Sequence, residues 1–250
     1  SDFLAAVTDV LEFQRCPRRY YLGRYLGHDL EAAAAAAPPA ATEERVLEVS
    51  QEEPPDSFSR TELGLAVHRL LASGPQALEA LAEPLRTEAE RLARRFYQSD
   101  YGRRTAGGEV RRELAVMARV NGRFLHGNLD LLSFRDGRPD LLLDYKASDI
   151  TADQVEAEAA HYRVQMLLYA LLVEAAFGAA PREAVLFFLA PGVARPVRIT
   201  PEAREEVRQL LTQFFDAQSR ASYPPVVAEH CHRCPFHHTL CLAPLRQATA

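Results

Sequence analysis

Asp144 and Lys146 stand two residues apart at the end of an apolar run, Pro139 to Lys146, that reads PDLLLDYK. Side chains on a strand alternate between faces, so a strand here points Asp144 and Lys146 to one side and Leu141, Leu143 and Tyr145 to the other. Leu142 makes both faces apolar, and a carboxylate at the edge of such a core is costly unless a cation answers it. A divalent metal is that answer. Paired carboxylates suit Mg²⁺ or Mn²⁺, which take few protein oxygens and keep waters for substrate and nucleophile. A lysine beside the ion deprotonates or orients the attacking water and offsets charge building on a phosphate. The chemistry is phosphodiester hydrolysis, and the bland alternative is a surface ion pair at a strand end.

Asp130 is the natural partner for Asp144, and the turn between their strands decides whether they meet. A two-residue loop at Asp136-Gly137 pairs Asp130 with Leu143 and puts the acids on opposite faces. A three-residue loop, Asp136-Gly137-Arg138 with the glycine at positive φ, sets Asp130 opposite Asp144 at roughly 5 Å between Cβ atoms. The chemistry requires the odd loop. Asp140 lies about 13 Å from Asp144 along a strand, too far to share its ion. His68 falls on a helical face with Gly64, Val67 and Leu71; it reads as an ordinary packed or surface histidine unless its helix caps the acidic patch. Gln165 and Tyr169, at i and i+4, share a helix face and reach a scissile phosphate or Lys146 together, although alone they are ordinary helix polarity.

The elements around these residues follow from period and punctuation. Thr8 begins a helix with Asp9 in its first turn, and Pro17 starts a second segment that exposes Cys16 at the junction. Residues 31–56 are rich in Ala, Pro and Glu and carry no assigned chemistry. Ser59 or Thr61 caps the helix of His68, and Pro75 to Gln98 reads as one longer amphipathic helix. The period changes to two after Gly107-Gly108, Asn121-Gly122 marks a hairpin, and Asp136-Gly137 marks another turn. Thr151 to Phe177 is a long helix, Ala184 to Leu189 a strand, Pro196 to Ile199 a short strand, and Pro201 to Ser219 a helix. The sum is a mixed α/β or α+β core.

In that order, Gly64-x-x-Val67-His68, Glu113, Gly127-x-x-Asp130, Asp144-Tyr145-Lys146 and Gln165-x-x-x-Tyr169 resemble the motif series of the RecB-type nuclease branch of the PD-(D/E)xK superfamily. The resemblance implies a restriction-endonuclease-like central mixed sheet flanked by helices. It implies a metal held by His68, Asp130, Asp144 and the Tyr145 carbonyl, with Lys146 catalytic, Gln165 and Tyr169 supporting, and Glu113 on a further motif position. Cys16 before Pro17-Arg18-Arg19, with Cys231, Cys234 and Cys241 near the end, is similar to the iron–sulfur staple of the AddB subunit of helicase–nucleases and of the CRISPR adaptation nuclease. A 4Fe–4S cluster is therefore expected to join the two ends of the chain. Zn²⁺ is the alternative, since it too takes tetrahedral sulfur and His230, His232, His237 and His238 crowd the tail.

On this reading 1–250 is a single nuclease domain, with 8–28 and 221–241 as cluster-binding ends, 31–56 as a low-complexity insert or linker and 59–220 as the nuclease core. The function implied is a Mg²⁺- or Mn²⁺-dependent deoxyribonuclease acting on single-stranded DNA or duplex ends, exonuclease rather than endonuclease. It would serve as the nuclease module of a DNA repair and recombination helicase–nuclease, with a helicase domain or subunit as partner, or as a stand-alone relative. CRISPR spacer processing, or a catalytically inactive DNA-binding scaffold of the same fold, are the rivals. The chain contains no phosphate-cradling GxxxxGK[ST] motif, so any motor is supplied by something else. Its net charge of −5 argues against coating nucleic acid by bulk charge. Local contacts remain open to Arg15, Arg18, Arg19, Arg24, Arg103, Arg104, Arg111 and Arg112. With no long apolar run and no cleavable leader pattern, a cytoplasmic protein without membrane contact is expected. Ser1 in place of Met fits a processed start or a domain cut from a longer chain.

Overall fold

The computed structural model describes residues 4–28, 58–237 and 239–243. The expected insert at 31–56 and His238 lie outside them. The chain divides into two compact units: Leu4 with residues 58–207 in one, and residues 5–28 with 208–243, His238 apart, in the other. The second boundary falls between Val207 and Arg208. No helix among the described residues is long and apolar enough to cross a membrane.

After the short strand β1 (Leu4–Ala6), the second unit begins with α1 (Val7–Arg15) and α2 (Pro17–Tyr20). The first unit opens with α3 (Arg60–Ser73), capped reciprocally by Ser59 and Glu62. The stretch expected as one helix from Pro75 is broken. A 3₁₀ turn at Pro75–Leu78 gives way to α4 (Glu83–Gln98), because Pro84 sits in the first helical turn and starts a new helix. Then come α5 (Asp100–Arg104), β2 (Glu109–Val120), β3 (Arg123–Arg135) and β4 (Arg138–Lys146). The long helix α6 spans Val155–Phe177, behind a 3₁₀ turn at Ala152–Gln154. It is followed by β5 (Glu183–Phe188), β6 (Val193–Val197) and α7 (Pro201–Arg220), which crosses into the second unit.

Strands β2 to β6 form a mixed sheet, antiparallel except for β4 on β5. The parallel pair requires a crossover, and α6 supplies it. Leu131, Leu141, Leu143, Tyr145, Val185 and Phe187 fill one face against Val67, Leu71, Leu92 and Phe96 of α3 and α4. Strand alternation leaves Asp144 and Lys146 to the opposite face.

The turn between β3 and β4 corrects the three-residue expectation. Arg135 pairs with Arg138 across a two-residue turn in which Asp136 and Gly137 take φ of 53° and 71°, the left-handed pair that a tight hairpin needs. The register then shifts: Phe134 faces Pro139, but Ser133 faces Leu141. Asp140 is the extra residue of a β-bulge, and the bulge, not the loop, brings Leu131 opposite Leu143 and continues to Asp130 opposite Asp144. Ser133 Oγ accepts the Leu141 N–H at 3.2 Å, so the interruption leaves that donor satisfied.

Asp140 is buried and answered by three arginines, Arg135 and Arg182 at 3.1 Å and Arg104 at 4.0 Å. These arginines are 36–65% exposed, so solvent screens much of the attraction. Asp140→Asn is expected to lower stability by about 1–2 kcal/mol, less than a fully buried pair would lose. Thermal melting checks it.

In the second unit, Cys16 (φ −165°, ψ 115°) separates α1 from α2, and a π-helical turn follows at Tyr21–Tyr25. Phe13, Tyr20 and Phe214 pack edge-to-face with centroids 5.1–6.1 Å apart. The tail forms a 3₁₀ turn at Glu229–Arg233.

Candidate functional site

The ends of β3 and β4, the first turns of α3 and one face of α6 enclose a cleft of about 630 Å³ that holds His68, Asp130, Asp144, Lys146, Gln165 and Tyr169. On α6 the residues Glu158, Tyr162, Gln165 and Tyr169 recur at spacings of four, three and four, so a single helix face lines the cleft.

Asp130 does two jobs. Its Oδ2 accepts the Tyr145 N–H at 2.8 Å, and its Oδ1 lies 3.4 Å from His68 Nδ1. The other ring nitrogen, Nε2, is 3.2 Å from the Tyr145 carbonyl oxygen. The Tyr145 ring meets His68 edge-on at 5.9 Å and Phe96 at 4.9 Å. Packing therefore fixes the helix that delivers the histidine.

Glu113 completes this corner, 3.5 Å from His68 Nδ1, while Asn128 Nδ2 donates to its other oxygen. Its backbone is left-handed (φ 46°), and β2–β3 pairing passes from Arg112–Leu131 to Leu114–Leu129 around it. A non-glycine residue in that conformation costs free energy, and such strain concentrates at functional sites. Among the described residues, His68, Glu113 and Asp130 are the group whose ligand atoms lie within 4.8 Å of one another.

The electrostatics of the corner are lopsided. Burial opposes charge on His68, but the Asp130 hydrogen bond and the charges of Asp130, Asp144 and Glu113 outweigh it and push its pKa up to about 9. Asp144 is buried, and desolvation followed by repulsion from Asp130 pushes its carboxyl up to about 6 against the pull of Lys146 and His68. Lys146 Nζ is 2.7 Å from Asp144 Oδ2. Buried as it is, that oxygen has the ammonium beside it and no other donor. Three carboxylates with one imidazole, one of them buried and under-satisfied, fit a hard divalent cation.

Lys146 Nζ also donates to Gln165 Oε1 at 3.2 Å, and Gln165 Nε2 donates to the Tyr169 hydroxyl at 3.2 Å. Tyr162 presents its ring 3.8 Å from the ammonium. Tyr162 and Asn128 lie in this cleft corner without belonging to any of the motif positions. Tyr162 stands three residues before Gln165, so extending the helix-face spacing by one step finds it; Asn128 has no comparable signal.

Cys16, Cys231, Cys234 and Cys241 line one cavity in the second unit, and none is in a disulfide. The Val226 backbone brackets two of them, its N–H donating to Cys16 Sγ at 3.5 Å and its carbonyl accepting from Cys231 Sγ at 3.6 Å. His230 lies on the same cavity, its pKa lowered by burial and by the charges of Arg15 and Arg19. His237 binds the Ala243 carbonyl at 2.9 Å. Of the arginines considered for DNA, Arg19, Arg24, Arg103, Arg104 and Arg111 each pair with an acid.

A sequence model of the PD-(D/E)XK nuclease superfamily matches residues 5–241. The mixed sheet flanked by helices is consistent with the restriction-endonuclease-like fold of that superfamily. No curated protein matches the chain. The crystal structure of SSO0001 is similar to it, with a TM-score of 0.41 and 14% identity over 93% of this chain and 83% of that one.

Proposed function

The chain belongs to the PD-(D/E)XK nuclease superfamily, and from that premise we propose that it is a Mg²⁺- or Mn²⁺-dependent deoxyribonuclease. The observation that carries the reading is the convergence of Asp130, Asp144, Lys146 and His68 in one cleft. His68, Asp130, Asp144 and the Tyr145 carbonyl would hold the ion, with Glu113 beside them. When bound, the ion supplies Lewis-acid polarisation of a phosphoryl oxygen and acidifies water. Lys146 orients the attacking water and offsets charge developing on the phosphate. Gln165, braced by Tyr169, aims the ammonium. Asp130 ties the backbone of Tyr145 to the corner where the carbonyl is needed.

The substrate we assign is single-stranded DNA or duplex ends, cut exonucleolytically, in a repair or recombination helicase–nuclease of the RecB/AddB type or a stand-alone relative. Duplex and single-stranded DNA labelled at the 5′ or 3′ end test this. Early release of labelled mononucleotide or short oligonucleotides supports it, and internal cutting of a circular substrate contradicts it.

Residues 8–28 and 221–241 are proposed to bind a 4Fe–4S cluster through Cys16, Cys231, Cys234 and Cys241. The four line one cavity, and four thiolates can hold either a cluster or Zn²⁺; the likeness of their sequence spacing to the iron–sulfur staple supports the cluster. Anaerobic purification is expected to yield a brown protein with on the order of four irons per chain. A colourless protein with stoichiometric zinc would overturn the assignment.

A further inference from the structure

We propose that Tyr162 is a positioning residue for Lys146, an assignment that rests on the catalytic role proposed for that lysine. The Lys146 side chain is 13% exposed, and its ammonium has three partners: Asp144 at 2.7 Å, Gln165 at 3.2 Å and the Tyr162 ring at 3.8 Å from its centroid. Only the first carries charge. Asp144 is also a carboxylate that would face a divalent ion, so its hold on the ammonium weakens when a second cation competes for it. Gln165 and the face of Tyr162 attract the ammonium without charge of their own. The ring does so through its quadrupole, which is strongest where water is excluded. Together they keep Nζ in place when Asp144 turns its charge elsewhere.

The sequence sets this cation apart from the others. The chain has 29 Lys and Arg residues, and Lys146 is its one lysine; the other 28 are arginine. Arginine presents a wide planar fork, whereas lysine presents a compact point charge. A chain that uses arginine at every other basic position, yet lysine where three groups close on one nitrogen, is matched to the smaller cation.

The lone lysine also makes the proposal testable without activity. Protein grown on ¹³C,¹⁵N-lysine, with no lysine added by a tag, reports Lys146 alone. A ring face at this distance shields the neighbouring methylene, so the Lys146 Hε resonance is expected upfield of its ordinary position in the wild type and in Tyr162→Phe. In Tyr162→Leu it returns to that position. In parallel, Tyr162→Leu is expected to lower kcat roughly 3- to 20-fold, between the worth of an exposed and of a desolvated cation–π contact, with KM within about twofold; Tyr162→Phe retains most of the rate. An unshifted Hε in the wild type, or full kcat in a folded Tyr162→Leu protein, overturns the assignment. Should the leucine variant fail to fold, the wild-type shift decides alone. Full cleavage by Lys146→Ala would instead defeat the catalytic reading on which the assignment rests, so the two failures are distinguishable.

Discussion

Asp144→Asn is expected to lower metal-dependent DNA cleavage on the order of 10³-fold or more, beyond the loss of one oxyanion-hole donor, because the change removes a candidate ligand and the ionic partner of Lys146 together. The same change is expected to leave the melting temperature at neutral pH unchanged or higher. The carboxyl of Asp144 is raised from 3.8 to about 6 by burial and by Asp130. A group whose folded pKa lies above its unfolded value binds more protons in the folded state, so its contribution to stability falls as pH rises through that window. At neutral pH the ionised carboxylate is therefore a cost to folding, and asparagine removes the charge while keeping the shape. Loss of activity with retained or raised stability separates a functional carboxylate from a structural one. Asp140→Asn should do the reverse, which sets the two strand acids apart by experiment.

The second large effect is on metal affinity. In the metal-free protein His68 has a pKa raised from 6.5 to about 9, so it is protonated at neutral pH and must lose that proton to act as a ligand. Apparent affinity for Mn²⁺ or Mg²⁺ is expected to rise about tenfold per pH unit between roughly 6.5 and 9, and to level off above. The stability of the metal-free protein runs the other way. The ion pairs of protonated His68 stabilise the fold fully below about 6.5, and that contribution, on the order of 3 kcal/mol, is lost as pH rises through about 9. Calorimetric titration in buffers of different ionisation enthalpy counts the proton released. His68→Gln should flatten the pH dependence, and a wild-type affinity independent of pH would contradict the assignment of His68.

Much of the site is legible in the chain because it depends on local periods. A strand puts Asp144 and Lys146 on one face whatever surrounds it, and a helix puts Gln165 beside Tyr169. The register between β3 and β4 is less local. The pair Asp136-Gly137 indicates a two-residue turn, which taken alone misplaces Asp130 by one residue and flips it to the wrong face. The bulge at Asp140 restores it. Its trace in the sequence is Pro139 beside a charged residue in an otherwise apolar strand, a combination that marks irregular pairing.

Glu113 is visible as a motif position, but its left-handed backbone and its approach to His68 are products of tertiary contact. The break before α4 was available from Pro84. The solitary lysine is written plainly in the composition, yet spacing arguments do not draw on it. The gathering of the four cysteines on one cavity belongs to packing and has no local period.

The most direct test of the central claim is a time course of single-stranded DNA cleavage by wild type and Lys146→Ala, each with Mg²⁺, with Mn²⁺ and with chelator. The wild type is expected to cut with either metal and to stop in chelator, while a folded Lys146→Ala is silent throughout. Cleavage by Lys146→Ala at the wild-type rate, or by the wild type in chelator, would contradict the account.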